Sequence, residues 1–205
     1  MQQRTLVAVS AGLGQPSSTR MLTDRLAQAA EAELGERGIT AEIRTVELRD
    51  IAHDVLNTAL TGFPAGQAQD VLEAVETADG LIAVSPLFNT TYSGLFKSFV
   101  DVLGGDALRG VPVLLGATGG TPRHSLALEY SMRPLFTYLH ADVVTTSVFA
   151  ATDDWAGQGD QVNPLPDRIR RAGAELAAVV AGREPRKRPD EFAEAPSFDQ
   201  LLSDL

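Results

Sequence analysis

The sequence predicts an α/β domain built on a doubly wound, five-stranded parallel sheet, and three observations carry that expectation. Short β-rich apolar runs alternate with longer stretches of helical spacing along most of the chain. Several of those runs, Leu81-Ile82-Ala83-Val84 and Val111 through Leu115 among them, are apolar at nearly every position, as strands are when helices cover both faces of a sheet. The 205 residues, 44% of them hydrophobic, suit one core that buries roughly 70% of the unfolded surface.

Residues 4–10 (RTLVAVS) form the first strand, a β-rich run that ends in small residues. Met21, Leu22, Leu26, Ala29, Ala30 and Leu34 then repeat helically over about 19–37, and Gly38 stops that helix. Residues 41–48 alternate Ile43, Val46 and Leu48 as a second strand, after which Pro64 divides a weak helix from a stronger one ending near Ala78. The third strand is 80–85, with a loop before the next helix. A fourth strand at 111–117 with a helix over about 123–139, and a fifth at 141–150 with a helix over about 165–181, complete the alternation. Residues 1–182 read as one domain and 183–205 as a linker with a short amphipathic tail, because Arg183, Arg186, Lys187 and Arg188 precede Pro189 and an acidic end. Ser197 with Gln200 makes a capping-box pattern ahead of Phe198, Leu201, Leu202 and Leu205. So short a helix is unstable alone, so it is expected to dock on a neighbouring subunit or partner, the alternative being a frayed end.

Composition removes several function classes. Seventeen Lys and Arg against 27 Asp and Glu give a net charge of -10, which repels a phosphate backbone, so nucleic acid is not an expected partner. No apolar run approaches the roughly eighteen residues of a membrane span, and the first residues lack a signal-peptide pattern; a soluble, cytoplasmic protein is expected, with no membrane partner. With no cysteine, disulfides, thiol nucleophiles, iron–sulfur clusters and thiolate zinc sites are excluded. His53, His124 and His140 stand far apart without HExxH or HxH spacing, so no metal is expected. No G-x-S-x-G elbow supports an acyl-transfer nucleophile.

Ligands of doubly wound sheets bind beyond the carboxyl ends of the strands, which directs attention to the loops after strands one, three and four. The first, Ser10 to Thr19, is glycine- and hydroxyl-rich and feeds a helix, the outline of an anion cradle in which backbone N–H groups and the helix dipole favour phosphate. The same serines would serve as plain N-caps. Gly12 and Gly14 begin a dinucleotide fingerprint, but Ser17 occupies its third glycine position, and no G-x-x-x-x-G-K pattern is present. The second loop, Ser85 to Gly94, mixes apolar and hydrogen-bonding groups and suits a flat heteroaromatic ring, with Phe88 and Tyr92 as either ring contacts or core. The third, Ala117 to Pro122, sets Gly119 and Gly120 where backbone can approach a ligand, or where a tight turn needs them. Phosphate, ring and close backbone contact along one edge fit a mononucleotide with a broad ring, such as FMN.

Two stretches, SPLFNTTYSGLFKSFVDVL from Ser85 and ATGGTPRHSLALEYSMRPLFTYLHA from Ala117, are similar to segments of reductases that feed two-component flavin monooxygenases. Over residues 4–180 or so, the chain resembles the NAD(P)H-dependent FMN reductases of the flavodoxin-like superfamily. The resemblance implies a flavodoxin-like sheet of order 2-1-3-4-5, FMN and NAD(P)H as cofactors, a homodimer or homotetramer, and FMNH2 supplied to a luciferase-like monooxygenase. It assigns Ser10, Ser17, Ser18 and Thr19 to phosphate, Pro86, Leu87, Phe88, Asn89 and Thr90 to the ring, and Thr118, Gly119, Gly120 and Thr121 beside it. The first loop departs from the family, many of whose members carry Gly-Ser-x-Arg; Leu13 stands about where their arginine would be. Hydride transfer between stacked rings needs no catalytic protein group, only donors such as the N–H groups around Gly119 and Gly120 for charge developing near flavin N1 and the C2 carbonyl. Tyr130 would lie in a π-bulge at a tetramer interface and assist flavin exchange; Pro134, which crowds the Tyr130 carbonyl, is a local reason for irregularity there. The core is the alternative fate of Tyr130. Two other functions fit the same residues, an electron carrier of flavodoxin type and an NAD(P)H-dependent quinone or azo reductase. No ribose-selecting motif distinguishes NADH from NADPH.

Overall fold

The computed structural model describes residues 2–186, so the tail expected at 197–205 lies outside the described residues. Strands β1 (Gln2–Ser10), β2 (Ile39–Glu47), β3 (Gly80–Phe88), β5 (Pro112–Gly119) and β6 (Asp142–Val143) lie in the order β2-β1-β3-β5-β6. This is the expected 2-1-3-4-5 order, with every one of these pairings parallel. Helices α1 (Ser18–Glu36) and α7 (Leu165–Ala181) cover one face, where Leu22, Leu26, Ala30, Leu34, Leu176 and Val180 meet Leu6, Ala8, Ile82 and Leu114. Helices α2 (Ala52–Thr61), α3 (Gln67–Thr77), α4 (Gly94–Asp101) and α5 (Arg133–Tyr138) lie over the other, where Val55, Val71, Phe96 and Phe136 meet Val7, Val9, Leu81 and Val113. Burial on both faces is what the unbroken apolar runs of β3 and β5 require.

The described residues form seven strands where five were expected, for two local reasons. The fifth strand splits into β6 and β7 (Val148–Ala151), both paired with β5. Between them the Glu175 carboxylate takes the Thr146 N–H and hydroxyl, and the Arg133 guanidinium takes the carbonyls of Val144 and Thr145, removing backbone groups from the ladder. The other extra strand, β4 (Thr91–Tyr92), folds back on β3 as a hairpin whose two-residue tip, Asn89 and Thr90, has φ of 50° and 75°. Positive φ at both positions matches the twist of the flanking strands, and Asn tolerates it far better than β-branched Thr.

The helix expected over 123–139 is also broken. A 3₁₀ turn (Pro122–His124) leads through a π-helical turn (Leu128–Met132) into α5, and the Arg133 N–H reaches back five residues to the Leu128 carbonyl. Pro134 has no N–H to offer the carbonyl of Tyr130, so the regular ladder is already interrupted at this point.

The N-terminal edge of the sheet is tied by the segment after α7. The buried Arg4 guanidinium donates to the Arg183 carbonyl at 2.6 Å and to the Val180 carbonyl at 3.4 Å, at the helix end whose dipole favours a cation. Asp79, at the start of β3, accepts from the N–H groups of Thr5 (2.8 Å) and Arg186 (2.7 Å). The opposite, carboxyl edge is free to carry loops.

Candidate functional site

Strand register brings the three loops together. Ser10 pairs with Val84, Pro86 with Thr118 and Gly119 with Ala151, so β1, β3, β5 and β7 end side by side. A cleft of about 620 Å³ opens across these ends. Of the expected residues, Ser17, Ser18, Thr19, Pro86, Leu87, Phe88, Thr118, Gly119 and Gly120 line it. Ser10, Asn89, Thr90, Thr121 and Tyr130 are not in its wall. Ser10 lies fully buried beneath, its hydroxyl without a partner among the described residues, while Asn89 and Thr90 form the hairpin tip beyond Phe88.

The first loop is held from two sides. The Ser17 hydroxyl caps α1 by accepting from the Arg20 N–H at 3.1 Å, so the plain N-cap reading describes part of its role, and its own proton remains to donate. A Cβ on Gly12 would stand 2.1 Å from that hydroxyl oxygen, which is why only glycine lets the loop close on Ser17. Thr19 and Thr118 share a buried hydroxyl–hydroxyl bond of 2.8 Å, joining the first loop to the third. The start of α1 leaves the N–H groups of Ser18 and Thr19 without a carbonyl one turn back, the usual donors of an anion site. Behind the loop, Arg49 donates to the Gly14 carbonyl at 2.7 Å, and Glu47 pairs with both Arg49 (2.7 Å) and Arg20 (2.8 Å). Arg20 also bonds Asp24, and that hydrogen bond is the main reason its pKa is raised. These arginines brace the loop from behind; among the described residues, no charged side chain lines the cleft itself.

The ring end is shaped by Ser85 and Ser93. The Ser85 hydroxyl accepts from the Ser93 N–H at 3.0 Å, and Ser93 in turn caps α4 through the Phe96 N–H at 3.2 Å. This turns Pro86, Leu87 and Phe88 toward the cleft and sends Tyr92 inward, where its ring packs 5.8 Å from Phe96. Tyr92 is therefore core, and Phe88, 46% exposed, is the aromatic left for a ligand. A Cβ on Gly120 would meet no other atom of the described residues within 4 Å, so the third loop presents bare backbone to open space. Neutral hydroxyls and amides at one part of the cleft, and an apolar slot beside exposed backbone at another, match the phosphate and ring of FMN.

Sequence reasoning missed Met21, Thr152 and Trp155, which complete the wall. Thr152 and Trp155 belong to α6 (Thr152–Trp155), which follows the fifth strand position, and the first, third and fourth loops alone had been singled out. The chain's single tryptophan just past a strand end was the available signal. Tyr130 lies in the π turn and is 79% exposed, so the core alternative does not hold for it. Next to it Glu129 bonds Arg133, and that hydrogen bond holds its carboxyl below the usual range.

A doubly wound parallel sheet with such a cleft along its carboxyl edge defines a nucleotide-binding protein of flavodoxin-like fold. The chain belongs to the NADPH-dependent FMN reductase family, whose model matches residues 4–156. It is 39% identical over 178 residues to an FMN reductase (NADPH) of Pseudomonas aeruginosa, covering 87% of this chain and 93% of that protein. It is 40% identical over 179 residues to the NADH-dependent FMN reductase SfnF of Pseudomonas fluorescens, covering 86% and 91%. Among solved structures, an oxidoreductase from Corynebacterium diphtheriae superposes with a TM-score of 0.85 at 39% identity, over 90% of this chain and 100% of that one. The apo form of the NADH:FMN oxidoreductase EmoB superposes with a TM-score of 0.72 at 25% identity, over 88% and 90%. Family membership makes the protein an oxidoreductase with FMN and a reduced nicotinamide nucleotide as its cofactors.

Proposed function

We propose that the protein reduces FMN with NAD(P)H and releases FMNH2 to a monooxygenase that consumes it. The observation that carries the reading is the neutral cleft, which has hydroxyl and N–H donors for a phosphate but, among the described residues, no charged side chain to retain it. FMN held in this way can leave after reduction, as a diffusing product must. Ser17, Ser18 and Thr19 bind the phosphate, with Ser10 beneath them. Pro86 through Thr90 form the wall and tip against the ring, and Thr118 through Thr121 place backbone donors beside it. The two cofactor rings supply the hydride chemistry; the chain binds, orients and screens them from water. Tyr130, exposed on its π turn near the exposed Leu126 and Tyr138, is a subunit contact in a homodimer or homotetramer and favours flavin exchange. A cytoplasmic setting, where reduced nicotinamide nucleotides are made, suits this role.

Steady-state turnover with NADH and with NADPH in the presence of free FMN tests the reading, coupled to a flavin-dependent monooxygenase. Oxidation of the nucleotide with FMN in catalytic excess, and oxygen-dependent product from the coupled enzyme, are expected. A protein that purifies yellow and leaves free FMN unreduced would instead be an electron carrier. A strong preference for quinone or azo acceptors over FMN would make it a reductase of those compounds.

A further inference from the structure

The cleft does not stop at the phosphate loop. Leu87 packs with the core beneath α2 to α5, whereas Trp155 packs with the core beneath α1 and α7. Both line the same cleft, which therefore straddles the sheet edge from one face to the other. On the α1 side, Met21 stands one turn past Ser17 and Ser18, and Arg25 one turn beyond Met21 on the same helix face. The Arg25 guanidinium lies over the Trp155 ring, 5.1 Å from its centroid. That contact pins the half-buried indole above the second turn of α1. Among the described residues the wall there is a flat aromatic ring, a thioether and the Thr152 hydroxyl, without a carboxylate or ammonium group. Such a surface takes a flat, uncharged heteroaromatic ring by stacking.

We propose that Trp155, braced by Arg25 and flanked by Met21, is a stacking platform for adenine, forming an adenosine subsite continuous with the flavin cleft. The inference rests on the placement of FMN given above: with the ring at Pro86 to Phe88 and the phosphate at Ser17 to Thr19, the part of a larger ligand that reaches Trp155 lies beyond the phosphate. Two ligands carry an adenosine there. FAD is FMN extended through its phosphate by AMP, and the nicotinamide donor carries adenosine at the far end of its pyrophosphate.

Trp155 is the only tryptophan of the chain, so its emission reports on this subsite directly. Titrating the full-length protein with AMP at millimolar concentration is expected to quench that emission saturably, and FMN is expected to do so at lower concentration. Trp155→Ala then raises the ratio of the FAD to the FMN KM about tenfold if the flavin supplies the adenosine. It raises the ratio of the NADH KM to that of reduced nicotinamide mononucleotide by a similar factor if the donor supplies it. Trp155→Phe, which keeps a flat ring and guards against misfolding, returns whichever ratio moved toward the parent value. AMP that leaves the emission unchanged while FMN quenches it overturns the subsite and leaves the flavin placement standing. If FMN also leaves it unchanged, both are overturned. Quenching by AMP with neither ratio moved by Trp155→Ala overturns the subsite as a part of catalysis.

Discussion

Replacing Gly120 by alanine separates the demands of the ligand from those of the fold, because the two effects have opposite signs. Among the described residues the added methyl meets no heavy atom within 4 Å, and Gly120 does not have the positive φ that strains other residues. On the protein side, therefore, the change acts mainly on the unfolded chain, whose lost freedom stabilises the fold by about 0.4–1 kcal/mol. For a domain of this size that raises Tm by roughly 1–4 °C. On the ligand side, the methyl occupies the space that the flavin ring is proposed to fill, and overpacking costs about 1–3 kcal/mol. FMN affinity should fall roughly five- to 150-fold, and riboflavin affinity equally, because the ring is common to both. Gly119→Ala is a poorer probe, since its Cβ would already stand 3.0 Å from the Phe149 ring. Calorimetric Tm and fluorescence titration of both flavins give the two readouts. A variant with raised Tm and unchanged flavin affinity would refute the placement of the ring; a Tm lowered by several degrees would refute the reading of that space as open.

Four further outcomes are expected. Ser17→Ala combined with Thr19→Ala should weaken FMN by about 1.5–3 kcal/mol for each lost bond to a charged oxygen and spare riboflavin, and equal loss for both flavins would count against the phosphate assignment. Glu129 has its carboxyl pKa lowered chiefly by the Arg133 hydrogen bond, so its stabilisation is present above the ordinary carboxylate range and is lost as pH falls through the lowered value. Glu129→Gln should thus melt about 1–2 °C below the parent at pH 7 and converge with it as pH falls through the lowered carboxyl value; a gap that is constant with pH would exclude this pair as the cause. Thr90→Gly removes a β-branched residue from φ of 75° and should raise Tm by about 2–4 °C, an idea that a lowered Tm would sink. Deleting Tyr130 should restore a regular helix and give a protein that purifies yellow with slower transfer of FMNH2, whereas a folded, colourless and equally active variant would remove the exchange role.

The apolar runs of β1, β3 and β5, the helical spacing of α1 and α7 and the hydroxyl-rich entry to α1 were all legible in the sequence, because each reflects a local requirement. A strand covered on both faces must be apolar throughout, and a helix start must find acceptors for its own N–H groups. These sufficed for the parallel sheet and the three loops at its carboxyl edge, whereas the strand order was implied by the resemblance to the FMN reductases. The tertiary structure decided what depends on partners distant along the chain. Glu175 and Arg133 divide the fifth strand by taking its backbone groups from 29 and 11 residues away. Ser93 and Ser85 set the turn that buries Tyr92 and leaves Phe88 to the cleft, where composition allowed either aromatic. Arg49 and Glu47 brace the first loop through the Gly14 carbonyl, a contact visible only once β2 lies beside β1. Trp155 reaches the cleft only because β7 pairs with β5 and Arg25 stands beneath the indole. Periodicity records which face of an element is buried, but a side chain's partner is set by which elements the fold places next to one another.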